Sequence, residues 1–125
     1  MVKSIISMII VALILSLGVI FEINFIHGEF NGLTEETQIL YDKIQSESAT
    51  ENDVYALQKR WINSKEKLHA FIPHTEIKEF DLWIAETVKY VSAKEWEEAL
   101  SKMEVIIELE EQIPKNFEFT FANVF

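Results

Sequence analysis

The chain has 125 residues, 21 acidic against 11 basic, a net charge of −10, and no cysteine. All of the acidic residues and all but one of the basic ones lie from Glu22 onward, so that part carries a net −11, a balance that repels nucleic acid and anionic surfaces. Nucleic-acid binding is set aside, and no disulfide holds the fold together.

Ile5 to Phe21 is an apolar run without a charge, preceded by Lys3 and followed by Glu22. At helical rise it spans about 25 Å, the short end of what crosses a bilayer. Ile23, Phe25 and Ile26 prolong the apolar surface, so residues 1–26 read as a membrane anchor, with residues 4–26 in contact with lipid. A cleaved signal peptide is the rival reading, because Ser16-Leu17-Gly18 places small residues where a peptidase cuts. Cleavage there would leave a markedly apolar new terminus. Lys3 and the terminal amine lie on the short side, and the first cation beyond the span is Lys43, which puts the amino terminus in the cytoplasm and the rest outside.

Only three glycines and two prolines occur, too few for a small strand-rich fold with its many turns. The expected class is all-α: one N-terminal transmembrane helix, a small antiparallel bundle of three to four helices over 34–116, and an extended aromatic tail over 117–125. Residues 27–33, with Gly28 and Gly32, read as a hinge. Thr34 then reads as the N-cap of a short helix with Leu33, Thr37, Leu40, Tyr41 and Ile44 on one face, ending near Glu47. Thr50 and Asp53 resemble a capping box opening a helix that runs to about Ile72, with Val54, Leu57, Trp61, Ser64, Leu68 and Phe71 on its stripe and Pro73 as its stop. The third helix, capped by Thr75, presents Ile77, Phe80, Ile84, Val88 and Val91. Ser92 and Glu95 form a second capping box, and the fourth helix presents Trp96, Ala99, Leu100, Met103, Ile106, Ile107 and Ile113 before Pro114 ends it. Short connections imply antiparallel neighbours: the last three helices up-down-up, with the first packed alongside.

Phe117, Phe119 and Phe121 alternate with polar residues like a strand, and the chain closes on Asn123-Val124-Phe125. With no strand to pair with, this segment is expected to lie extended over the bundle or to dock a partner. Trp61 and Trp96, 35 residues apart, give a faint tetratricopeptide-like repeat, for which generic helix packing is the plainer account.

Candidates for chemistry are few. His69, His74 and Glu76 surround Pro73 and are zinc-compatible ligand types, but a helix stop separates the histidines. Glu104, Glu108, Glu110 and Glu111 read as a solvated acidic face rather than an acid/base site. No nucleophile triad, phosphate loop or calcium loop is present, and no cofactor is called for. Trp61 and Trp96 belong to the core, whereas Trp83 falls off the main face of its helix and is either a core edge or an interface anchor.

Several stretches carry a family resemblance: Trp61 with Leu68, Ile72-Pro73-His74-Thr75-Glu76-Ile77, Tyr90-Val91 leading to Glu98-Ala99-Leu100, and the final Asn123-Val124-Phe125. Together they resemble an uncharacterised family of small membrane-anchored proteins of spore-forming Firmicutes, a domain of unknown function. Pro73, where an acidic residue is common, and Val124 in place of Ile depart from its pattern. The resemblance implies the location and a helical fold, no reaction, and a multi-spanning membrane protein as companion. The expected function is a non-enzymatic, membrane-tethered interaction module with contacts through Trp83, Phe117, Phe119, Phe121 and Phe125. The alternative is a sensor for a small ligand or metal at His69, His74 and Glu76. Self-association is left open.

Overall fold

In the computed structural model, which describes residues 1–124 and side chains as far as Phe119, four helices make up nearly the whole chain. They are α1 (Val2–Gln45), α2 (Glu51–Leu68), α3 (His74–Ser92) and α4 (Trp96–Val124). α1 packs on α2 and α4, and α3 packs on the same two, giving an up-down-up-down four-helix bundle.

The 44 residues of α1 extend about 66 Å, and two unlike halves share that length. From Val2 to Phe21 the side chains are mainly apolar, with Lys3 the one charge, and almost all are exposed. From Ile26 onward one stripe is buried: Ile26, Phe30, Leu33, Thr37, Leu40 and Ile44, in alternating steps of four and three. That spacing keeps one side of the helix facing its neighbours over the full height of the bundle.

The hinge expected at 27–33 is therefore absent, and Thr34 is interior to a continuous helix rather than a cap. Gly28 and Gly32 do weaken a helix by roughly 1 kcal/mol each relative to alanine. Burial of Ile26, Phe30 and Leu33 around them outweighs that, at about 1.5–3 kcal/mol per large side chain. The first helix is accordingly a full member of the bundle, not a short piece beside three others.

The capping box at α2 forms as the sequence suggests. Asp53 accepts a hydrogen bond from the Thr50 backbone N–H at 2.8 Å, and Lys43 of α1 pairs with its other oxygen at 3.0 Å. The Thr50 N–H bond first, and Lys43 second, hold the Asp53 carboxyl below its ordinary range. α2 stops at Leu68, and α3 begins directly after Pro73, whose fixed φ suits that place, so Thr75 is not the cap. The second expected capping box does not form. Ser92 ends α3 and bonds back to the Val88 carbonyl, while Lys94 adopts φ 57° in the turn before α4.

Pro114 does not end α4, and the helix continues through the segment expected to be extended. Proline lacks the N–H that would bond the carbonyl of Glu110, so one helical bond is lost there. Pro114 itself and Ile113 are buried, and Phe117 packs on the core a turn later. Packing on both sides of the defect carries the helix across it.

The core centres on Trp61, which is 1% exposed. Its ring stacks on Phe80 at 4.0 Å and lies 6.5 Å from Phe30, joining α2 to α3 and α1. The indole N–H donates to Asp81 Oδ1 at 2.7 Å, which satisfies the one polar atom the burial would orphan. Trp96, by contrast, is the first residue of α4 and only half-buried, so the two tryptophans occupy unlike places. Ser64 fills the gap in the α2 stripe and donates to Glu29 of α1 at 2.9 Å.

Candidate functional site

Cross-helix pairs fix the levels of α1, α2 and α4 along the bundle. His27 Nε2 lies 2.5 Å from Glu118 Oε1, Thr37 Oγ1 2.5 Å from Glu110 Oε1, and Tyr41 Oη 3.5 Å from Glu104 Oε1. α4 thus descends antiparallel to α1, so that its final turns come level with the point where the apolar half of α1 begins. α2 descends likewise, with Lys43 beside Asp53 at the top and Glu29 beside Ser64 and Lys67 lower down. The turn after α2 therefore lies at the same end of the bundle as the carboxyl end of α4.

That end is aromatic. Phe71 of the α2–α3 turn meets Phe25 of α1 and Phe117 of α4, each at 6.4 Å and edge to face. Beside them a cavity of about 410 Å³ opens between the turn and α4, lined chiefly by Phe71, Ile72, Pro73, Ile113 and Phe117. Phe119, a half-turn beyond Phe117, is 68% exposed. Of the contact residues expected from sequence, Phe117 and Phe119 thus lie at this end. The Phe121 side chain and Phe125 lie outside the described residues. Trp83 lies elsewhere: it is half-buried against the core, with the Lys102 ammonium 5.2 Å from its ring centroid.

His69, His74 and Glu76 share this end but are not drawn into one cluster. His69 Nδ1 lies 2.7 Å from the Glu66 carbonyl oxygen, and Glu76 accepts a hydrogen bond from Asn116 at 3.3 Å. Among the described residues no group of three or more His, Cys, Asp or Glu side chains is arranged to hold a metal ion.

The residue that sequence reading misplaced is Glu110. It is 3% exposed, not part of a solvated face, and accepts a hydrogen bond from Thr37 across the α1–α4 seam, while its Oε2 makes no hydrogen bond of ordinary length. Burial pushes its carboxyl up to about 7, against the opposing pull of the Thr37 and then the Thr34 hydroxyl. The signal was in the spacing: Ala99, Met103, Ile106, Glu110 and Ile113 continue one stripe at steps of four and three.

The exposed half of α1 is the other distinctive surface. It is long and apolar enough to cross a membrane, none of its most apolar 18-residue window is buried by the rest of the protein, and it is compatible with a single-pass anchor.

The model of one protein family, described as Domain of unknown function (DUF4363), matches residues 20–124, and the chain belongs to that family. No curated protein and no solved structure matches it. The match begins near the end of the apolar run and takes in the whole bundle, so most of the exposed apolar half of α1 lies outside it.

Proposed function

We propose that this DUF4363 chain is a membrane-tethered, non-enzymatic interaction module, accessory to another membrane protein, with its amino terminus in the cytoplasm and its acidic bundle outside. The observation that carries the reading is the continuity of α1, whose exposed apolar half and buried half are one helix. A helix of that kind fixes the height and direction of the bundle over a bilayer, where a glycine hinge would have left both free. Tethering confines the bundle to the membrane surface and raises its effective concentration toward a partner held in the same plane. The core is consistent with a structural module: among the described residues its buried polar groups are Thr37, Ser64, Thr87 and Glu110, each with a hydrogen bond inside the bundle.

Mild cross-linking in intact membranes, followed by mass spectrometry of what travels with the anchored chain, tests this reading. One dominant membrane-protein partner is the expected result. Recovery of the chain in the soluble fraction, or of the chain alone, would overturn it.

A further inference from the structure

Resting on the membrane-tethered reading, we infer that the aromatic end of the bundle, formed by the carboxyl-terminal turns of α4 and the α2–α3 turn, is a second, peripheral contact with the lipid surface.

The argument is one of height. A hydrocarbon layer of about 30 Å takes up about 20 helical residues. Counted from Ser4, just past the cation Lys3, those residues end near Ile23 of α1, which sets Glu22 at the boundary itself, where its carboxylate reaches the headgroups. The polar interface adds roughly 5–7 Å beyond that boundary. Phe119 follows Glu118, which is level with His27, so it stands about 4–7 Å above Ile23 and inside that layer. The backbone of α4 continues as helix for five residues more, to Val124, descending toward the level of the boundary itself. From the other side, Phe71 touches Phe25, two residues past Ile23, so the α2–α3 turn rests in the same layer.

The chemistry of this end suits lipid. Phe119 is largely exposed, and the apolar cavity beside Phe71, Ile72 and Phe117 opens at the same level. From Asn116 to Phe125 the only charged side chain is Glu118, and it is paired with His27. The Glu29 carboxylate nearby is likewise paired, with Lys67, and Glu76, which lines the cavity, accepts a hydrogen bond from Asn116. A mainly apolar patch continuous with a spanning helix is covered by the bilayer in which that helix sits. The strongly acidic remainder of the domain selects a zwitterionic rather than an anionic surface. With α1 in the bilayer and two more elements resting on it, the bundle stands in one orientation, its α1–α2 and α3–α4 turns farthest from the lipid.

The absence of cysteine allows single labels on the full chain. Leu13→Cys, Phe119→Cys, Ala70→Cys and Gln45→Cys, all at exposed positions, are coupled to an environment-sensitive fluorophore in phosphatidylcholine nanodiscs, with helix content checked for each. Lipids carrying a nitroxide either near the headgroup or deep in the acyl chain supply the depth reading. The expected pattern is loss of emission at 13 to the deep quencher, loss at 119 and 70 to the shallow one, and none at 45. Quenching at 13 while 119 and 70 behave like 45 would overturn the lipid contact alone and leave these aromatics to a protein partner. Absence of quenching at 13 would overturn the tether itself, and the inference with it.

Discussion

Replacing Glu110 by glutamine is expected to stabilise the protein at alkaline pH and leave it nearly unchanged at acidic pH. Its carboxyl titrates near 7 in the folded chain against an ordinary value of 4.5, because burial between α1 and α4 penalises the charged form. At about 1.4 kcal/mol per factor of ten, that difference corresponds to about 3 kcal/mol. The sign follows from proton binding. Below pH 4.5 the group is protonated whether the chain is folded or not, and folding carries no penalty. Between 4.5 and about 7 the folded state alone keeps the proton, so stability falls as pH rises, and above 7 the full penalty applies. Glutamine keeps an oxygen to accept the Thr37 hydroxyl and cannot ionise. Urea unfolding of the full chain in micelles, followed by far-ultraviolet circular dichroism and tryptophan emission, should give nearly equal stabilities at pH 4, below both values. At pH 8 the variant should gain about 2–3 kcal/mol over the parent. An equal difference between the two proteins at both pH values would refute the assignment of a buried, proton-binding Glu110.

Gly28→Ala should stabilise the chain by about 0.5–1 kcal/mol in the same unfolding assay, since a Cβ there meets nothing within 4 Å and the helix is continuous, whereas Gly28→Pro should cost about 3 kcal/mol or more. Asp81→Ala should destabilise by roughly 1–3 kcal/mol, because it leaves the buried Trp61 N–H without its acceptor, and a blue-shifted or altered tryptophan emission should accompany the loss. Asp53→Ala should cost about 1 kcal/mol at neutral pH through the lost cap of α2. Because the Asp53 carboxyl is held below its ordinary 3.8 in the folded state, that deficit should shrink as the pH falls through the acid range, which thermal melts at pH 7 and pH 3 would register.

Much of the bundle was legible because apolar spacing is a strong signal: the stripes through Val54, Leu57 and Trp61 and through Ile77, Phe80 and Ile84 are buried as the pattern implies. What was not legible shares one physical origin, the override of a local signal by packing. Gly28 and Gly32 look like a hinge until Ile26, Phe30 and Leu33 are seen buried around them. Pro114 looks like a stop, yet the loss of one bond to the Glu110 carbonyl is tolerated between the buried Ile113 and the packed Phe117. Phe117, Phe119 and Phe121 alternate like a strand, but with α1 to lie against, the helix simply continues. Glu110 was hidden by its charge, although the stripe from Ala99 to Ile113 runs straight through it. The aromatic end emerged only from the antiparallel levels of α1, α2 and α4, which no local pattern encodes.

The central claim is that one uninterrupted helix joins the apolar half of α1 to the bundle core. Hydrogen exchange of the backbone amides of residues 27–33, measured on the full chain in nanodiscs, tests it most directly. Protection comparable to that of residues 37–44 is the predicted result. Exchange at the rate of the exposed turn around Ser46 and Ser48 would contradict it, and would restore a flexible joint between the apolar half of α1 and the bundle.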